Sequence, residues 1–329
     1  MLILGIETSC DETAASIVRD GEEILSNVIS SSLRYHKRFG GVVPEIATRH
    51  HVENIDRVIN SSLIKAGVDI ADIDAVAVTQ GPGLVGALLS GISCAKAIAY
   101  SLDVPLLAVD HVRAHIYSAL MGQNKVEFPF IGLVVSGGHT RILLAEEFDR
   151  FTTMGDTLDD AIGEAYDKVA KILGRGYPGG PVVDRLARKG NSRAVKFTCR
   201  PVDNGLDFSF SGIKTAVLYH VRSRGSRLRA KEVSDIAASF QESALRVIVK
   251  NCLKALERYG LKTLVVGGGV SANSRLREMF AFEESARGIK TYFPPRELCS
   301  DNAAMVAGLA YRMHKKGVRA GLDITAVVR

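Results

Sequence analysis

Three short apolar strands, each running into a polar or glycine-rich turn, constrain this chain more than any other feature of its sequence. The first is Leu2-Ile3-Leu4-Gly5-Ile6, followed by Glu7-Thr8-Ser9-Cys10-Asp11-Glu12-Thr13. The second is Leu133-Val134-Val135, which opens into Ser136-Gly137-Gly138-His139-Thr140. The third, Leu264-Val265-Val266, opens into Gly267-Gly268-Gly269-Val270-Ser271-Ala272-Asn273. A single turn of this kind is ordinary punctuation. Three of them predict places where the backbone approaches a flat or phosphorylated ligand, because glycine has no Cβ to interfere and a helix start offers free N–H groups.

Around these turns, strands and helices alternate. Apolar runs predict strands at 2–6, 14–18, 24–28, 75–79, 105–109, 130–135, 140–145 and 263–266. Helical periodicity predicts helices at 45–66, 85–101, 111–121, 157–173, 234–258 and 301–315. In one of them Val52, Ile55, Ile59 and Leu63 form an apolar stripe that Gly67 closes. This alternation predicts an α/β fold. It also repeats coarsely: strand, polar turn, returning strand, then helices, beginning at residue 2 and again near Phe130. Two related lobes with a cleft between them follow. The expected division is 1–108 and 109–300, with the segment 301–329 packing back on the first lobe.

The segment His111-Val112-Arg113-Ala114-His115 follows the strand Val104 to Val109, with Asp110 as a natural N-cap. Residues four apart share a helix face, so both imidazoles can address one point and supply part of a metal site. Two half-exposed histidines on an amphipathic helix would show the same spacing, which leaves both readings open. The zincin pattern is absent, because Val112 stands where that motif has its glutamate.

The chain has 329 residues, 47% of them hydrophobic, enough for two domains with substantial cores. Its five cysteines are scattered, without metal-type spacing, which predicts a reducing cytoplasm and no disulfide framework. No secretory leader pattern opens the sequence. The apolar stretch from Val85 to Leu102 carries Ser90, Ser93, Lys96 and Ser101, and reads as a buried helix rather than a membrane span. The formal net charge is +6, with basic clusters over 185–200 and at Arg222, Arg224, Arg227, Arg229 and Lys231. Such clusters suit an anionic partner or a plain solvated surface.

Taken in order, several segments resemble one family: Gly5 to Thr13, Gly41-Val42-Val43-Pro44-Glu45, Gly81-Pro82-Gly83-Leu84, His111 to His115, Val135 to Thr140, Gly176-Tyr177-Pro178-Gly179-Gly180, Phe208-Ser209-Phe210-Ser211-Gly212 and Gly267 to Asn273. The chain is similar to the bacterial form of the universal tRNA threonylcarbamoyladenosine transferases, once described as O-sialoglycoprotein endopeptidases. The resemblance implies an actin-like, sugar-kinase-like fold with a nucleotide in the interlobe cleft. It implies transfer of a threonylcarbamoyl group from threonylcarbamoyl-adenylate to N6 of adenosine 37 in tRNAs that read codons beginning with A. It implies one divalent metal ion, iron or zinc, on His111, His115 and Asp301. Substrate contacts carried over are Val134, Val135, Ser136, Gly137, Gly138, Asp167, Gly180, Asp184 and Asn273. Partners implied are tRNA, an inactive paralogous subunit that pairs with the first lobe, and an ATPase partner, in the cytoplasm and away from membranes.

Taken without the resemblance, Asp301 reads as the N-cap of the last helix, Asp167 as a solvated charge, Asp184 as a cap, and Asn273 as a cap or a ligand contact. His139 reads as a core or strand residue, and the pair His50-His51 as surface histidines. Glu12 is the candidate to accept a proton or to orient the carbamoyl group. Two other activities fit parts of the pattern. A metalloendopeptidase rests on the histidine pair alone. An ATP-dependent kinase of the same fold rests on the glycine turns, against which Glu7, Asp11 and Glu12 would repel a terminal phosphate.

Overall fold

The computed structural model describes residues 1–122, 126–199, 202, 205–225 and 228–328. The chain forms two units: Met1–Lys125 with Pro294–Arg329, and Val126–Phe293. The first contains strands β1 (Leu2–Glu7), β2 (Glu12–Arg19), β3 (Glu23–Ser31), β4 (Ala75–Gly81) and β5 (Leu106–Asp110). Its helices are α1 (Leu33–His36), α2 (Pro44–Ala66), α3 (Val85–Leu102) and α4 (His111–Ser118). The second contains β6 (Phe130–Val135), β7 (Thr140–Ala145), β8 (Phe151–Asp156), β9 (Thr263–Gly267) and β10 (Lys290–Tyr292). Its helices are α5 (Ile162–Ile172), α6 (Gly179–Ala187), α7 (Ser211–Ser223), α8 (Ala230–Tyr259) and α9 (Ser274–Arg287). The last helix, α10 (Ala303–Lys315), returns to the first unit.

The repeat legible in the sequence is a repeat of topology. The first sheet runs β3-β2-β1-β4-β5 and the second β8-β7-β6-β9-β10. In each, the first three strands in sequence are antiparallel, and the sheet then extends in parallel from the first strand. The expected division at 108/109 falls one helix too early. Helix α4 packs on α10, and α10 packs on β1 and β2, so residues 109–122 belong with the first unit. The helix expected over 157–173 begins only at Ile162; Leu158 N and Phe208 N bond across to Phe208 O and Asp156 O instead. Helix α4 stops at Ser118 rather than reaching residue 121.

Strand alternation decides what each face of the first sheet meets. Leu4 and Ile6 of β1 point into the core formed with Ile55, Val58 and Ile59 of α2 and Leu88 and Ile92 of α3. Ile3, Gly5 and Glu7 take the opposite face. A Cβ on Gly5 would lie 2.4 Å from Ala303 O and 2.9 Å from the Ala307 Cβ, so only glycine lets α10 lie this close to β1. Residues 303–310 of α10 are all buried, and Met305, Val306 and Leu309 each contribute about 1.5–3 kcal/mol by leaving water. The second unit has its own core, in which Ile131, Leu133 and Val135 of β6 pack with Tyr166 and Val169 of α5 and Phe240, Leu245 and Ile248 of α8.

Candidate functional site

Asp110, the last residue of β5, accepts from Arg113 N at 2.8 Å and so starts α4 at His111. One turn later His115 lies beside it, with ring centroids 4.5 Å apart. Asp301 comes from the approach to α10. The expected cap role falls to its neighbour, since Asn302 accepts from Met305 N at 3.0 Å. Asp301 is thereby turned toward the histidines: its Oδ1 is 3.1 Å from His115 Nε2 and 3.6 Å from His111 Nε2. One ligand atom from each of the three residues lies within 4.8 Å of the others.

Both ring nitrogens of His115 are buried and make no hydrogen bond among the described residues. A buried polar atom left unbonded costs about 1–3 kcal/mol, which a ligated cation would offset at the ring nitrogen that faces Asp301. Two imidazoles and one carboxylate are a donor set for iron or zinc that leaves positions open for another oxygen. The residues present therefore fit the divalent ion that the resemblance implies.

Glu7 supports this set, and sequence reasoning saw it only as part of an acidic turn. It is fully buried at the end of β1, one residue past the paired Ile6 and Val78, and Thr79 donates to its Oε2 at 2.6 Å. His111 Nδ1 donates to the same oxygen at 2.9 Å, and Ser9 N donates to Oε1. Burial alone would pull His111 down, but the carboxylates of Glu7 and Asp301 outweigh it and hold the imidazolium up to about 9. Burial works against the Glu7 carboxylate too, yet His111 keeps Glu7 below its ordinary value.

The rest of the first turn is buttressed by histidines. His50 and His51, expected at the surface, are both buried. His51 Nε2 donates to Cys10 O at 3.1 Å and its Nδ1 accepts from Thr13 Oγ1 at 2.8 Å. Burial keeps His51 below the ordinary histidine value, which suits this neutral bridging role. Glu12 accepts from Ser31 Oγ at 2.9 Å, and burial together with Asp11 pushes its carboxyl up to about 10. Burial, with Asp11, Asp301 and Glu12 nearby, also holds the Cys10 thiol well above its ordinary value, so it is no thiolate nucleophile.

In the second unit the carried-over residues lie at the end of β6 and the turn after it, on α5 and α6, and at the N-cap of α9. Gly163 N at the start of α5 donates to Ser136 O at 3.1 Å, which ties the Val134–Gly138 stretch to the helix bearing Asp167. Asp167 is no solvated charge: its Oδ1 accepts from Gly179 N at 2.6 Å, next to Gly180. Asp184 sits inside α6 rather than capping it, and accepts from Ser274 Oγ at 2.8 Å. Asn273 caps α9 through Leu276 N at 3.0 Å, and its Nδ2 donates to Gln241 Oε1 at 2.9 Å. His139 is half-buried in the turn itself, where its N donates to Ser136 Oγ at 3.0 Å, rather than in the strand.

The glycines separate into two kinds. A Cβ on Gly163, Gly179 or Gly268 would strike backbone at 2.4–2.5 Å, and Gly268 also has φ +92°. Those three are needed for packing. Gly137, Gly138 and Gly180 have no such conformation and nothing within 4 Å of the added atom. The fold leaves room for a side chain at each.

The basic clusters are partly neutralised. Arg188, Arg229 and Lys231 pair with Asp184, Glu232 and Asp235. Arg200 and Arg227 lie outside the described residues.

Residues 23–308 match the family model described as tRNA N6-adenosine threonylcarbamoyltransferase. A relative of that name from Dictyoglomus turgidum is 49% identical over 99% of this chain and 97% of its own length. Another, from Syntrophus aciditrophicus, is 48% identical over 100% of this chain and 97% of its own length. Among solved structures, full-length HypF in its phosphate- and nucleotide-bound form superposes with a TM-score of 0.61 at 17% identity, over 96% of this chain and 46% of that one. The architecture is the actin-like, sugar-kinase-like fold.

Proposed function

Since the chain belongs to the tRNA N6-adenosine threonylcarbamoyltransferase family, we propose that its first unit holds the metal, and its second the adenylate, of one acyl transfer that forms N6-threonylcarbamoyladenosine at position 37 of tRNAs reading codons that begin with A. The observation that carries the metal assignment is the buried set His111, His115 and Asp301, with Glu7 behind His111. When bound there, iron or zinc supplies a Lewis acid for the carbamoyl oxygen or the threonine carboxylate.

The reaction makes a bond from adenosine N6 to the carbamoyl carbon and breaks the bond from that carbon to the adenylate phosphate oxygen; N6 loses a proton and adenylate leaves. The backbone N–H groups of Gly137 and Gly138 hold the departing phosphate, their bare Cα positions let it come close, and Ser136 closes the turn by donating its own N–H to His139 O. Asp167 on α5 and Asp184 on α6 accept from ribose or threonyl hydroxyls, Gly180 leaves its side-chain space open, and Asn273 fixes the start of α9. Glu12, held as a neutral carboxyl, orients the carbamoyl group by donating a hydrogen bond rather than by taking the proton.

The partner assignments are those that the resemblance implies, and exposed apolar residues offer a face for one of them. Val85, Leu89 and Tyr100 form an outward stripe on α3, 46–77% exposed, and α2 adds exposed Val52 and Ile64. An inactive paralogous subunit seats on this face, and an ATPase partner completes a cytoplasmic assembly with tRNA. By length and composition alone α3 could cross a membrane, but it packs on α2 and β4 in the first unit.

The test is mass spectrometry of nucleosides from tRNA incubated with this chain, its helper proteins and threonylcarbamoyl-adenylate. N6-threonylcarbamoyladenosine is the expected product. Its absence, with helpers that serve a relative of this chain, overturns the reading.

A further inference from the structure

Between β3 and α2, five exposed residues follow one another around a single inward-facing histidine. Arg34, Tyr35, Lys37, Arg38 and Phe39 face solvent, while His36 is fully buried. Tyr35 is 43% and Phe39 47% exposed, a large apolar area to leave in water on one short segment. Each ring carries an arginine: the Arg34 guanidinium is 4.6 Å from the Tyr35 centroid, and that of Arg38 is 4.6 Å from Phe39. Neither arginine, nor Lys37, has a carboxylate partner among the described residues, whereas Arg188, Arg229, Arg246 and Arg275 in the second unit all do.

This segment is anchored to the turn that carries the metal support. His36 Nε2 bonds Ser32 Oγ at 2.8 Å, and Ser32 donates through both N and Oγ to Asp11 O at 2.9 and 2.8 Å. Val43 N donates to the other ring nitrogen of His36 at 3.3 Å. At the near end of the same turn, Ser9 Oγ lies 3.2 Å from His111 Nδ1. The exposed residues are thus tied through hydrogen bonds to the turn that reaches His111.

Flat rings, planar guanidiniums and uncompensated positive charge together fit an unpaired polynucleotide. Bases stack on aromatic and guanidinium faces, and phosphates meet the cations. Base-paired RNA hides those base faces, and although rings and arginines also serve protein interfaces, three cations with no carboxylate partner on one short segment favour a polyanion. We propose that Arg34, Tyr35, Lys37, Arg38 and Phe39 form a stacking platform for unpaired nucleotides of the anticodon loop of the substrate tRNA. The proposal rests on the tRNA reading above and adds the surface that receives the loop.

Fluorescence anisotropy of the full chain, across a salt series, tests it with two RNA probes: an anticodon stem-loop and a fully paired duplex of equal length. Tyr35→Ala/Phe39→Ala should weaken stem-loop binding about 10- to 100-fold and change duplex binding by less than about twofold. Arg34→Ala/Lys37→Ala/Arg38→Ala should reduce the salt slope by about two to three on the stem-loop. Metal content and circular dichroism verify the fold, and Tyr35→Leu/Phe39→Leu keeps apolar bulk while removing the rings if the alanine pair unfolds. Unchanged stem-loop affinity, or equal losses on both probes, overturns the platform. So does loss of helper-protein association with RNA affinity intact, which would make this a protein-docking face. A wild-type chain that binds duplex and stem-loop equally overturns the platform while leaving the transferase reading standing; one that yields no modified nucleoside in the mass-spectrometric assay removes both.

Discussion

The Nδ1 of His111 donates to Glu7 Oε2 at 2.9 Å, so the tautomer of a metal-facing imidazole is set by a carboxylate at the end of β1, two strands across the sheet from β5. A negative partner behind the ring makes Nε2 a stronger donor to a cation and fixes the ring plane before any ion arrives. The pairing is available because β1 presents Gly5 and then Glu7 on one face, the first making room for α10 and the second reaching α4.

Glu7→Gln keeps the shape of this residue but removes its charge and turns one of its two accepting oxygens into a donor. We expect metal affinity, measured by chelator competition, to fall about 10- to 100-fold while the melting temperature of the metal-free protein moves far less than on Glu7→Ala. Equal metal affinity in wild type and variant would show that Glu7 acts only in packing.

The same pair sets a pH dependence. His111 titrates at about 9 in the folded chain against 6.5 for an unperturbed histidine, a raised value. Its stabilising contribution is therefore complete below about pH 6.5 and lost as pH climbs through about 9. Glu7 is depressed, so its share is present above about 4.5 and lost in acid. A metal ion needs His111 neutral and must expel its proton below pH 9, so calorimetry in buffers of different ionisation enthalpy should register proton release that disappears in His111→Ala. Metal affinity independent of pH between 6.5 and 9 contradicts this.

His111→Ala/His115→Ala should abolish most bound metal, from about one ion per chain, while leaving circular dichroism unchanged. The ring nitrogens of His115 make no hydrogen bond among the described residues, so removing the ring costs the metal-free protein less than it costs the loaded one. Full metal occupancy in the double variant would refute the site.

Gly137 and Gly268 lie on similar turns yet should respond differently. Gly137→Val meets open space, so stability should hold while adenine-nucleotide affinity falls at least about tenfold by calorimetry. Gly268→Val forces a Cβ against Val135 O at a φ of +92° and should destabilise the whole protein by about 2 kcal/mol or more. Nucleotide binding at wild-type strength in Gly137→Val would move the phosphate site elsewhere.

Leu89→Arg on α3, at a side chain already 46% exposed, should leave the melting temperature within a few degrees and break association with the paralogous subunit. Gel filtration of the mixed proteins reads this directly. A complex that survives Leu89→Arg combined with Ile64→Glu would place that subunit on another face.

Much of this architecture is legible in the residues themselves. Strands such as β1, β4, β6 and β9 are short apolar runs ending in turns, and the pairing of their topologies follows from the repeat. The elements that escape sequence reading have thin signals. Helix α7 buries only Ile213 and Val217, α9 only Leu276 and Phe280, and β8 is a polar strand at the sheet edge. The metal ligands show through their one-turn spacing and the family's motifs. Glu7, His50 and His51 do not, because what holds each of them comes from a distant strand or turn: Thr79 and His111 for Glu7, Thr13 and Cys10 O for the histidines. Gln241 is invisible for the same reason, since only the tertiary fold brings it to Asn273.

The second unit is one uninterrupted stretch of chain, Val126–Phe293, while the first is split around it and is completed only by Pro294–Arg329. During synthesis the second unit can therefore assemble while the ribosome is still working. The first must wait with the bare face of β1, and with two histidines whose carboxylate has not yet been made. A chain cut short before Asp301 would lack one of the three residues grouped for the metal, so that set is complete only once the last helix is being made.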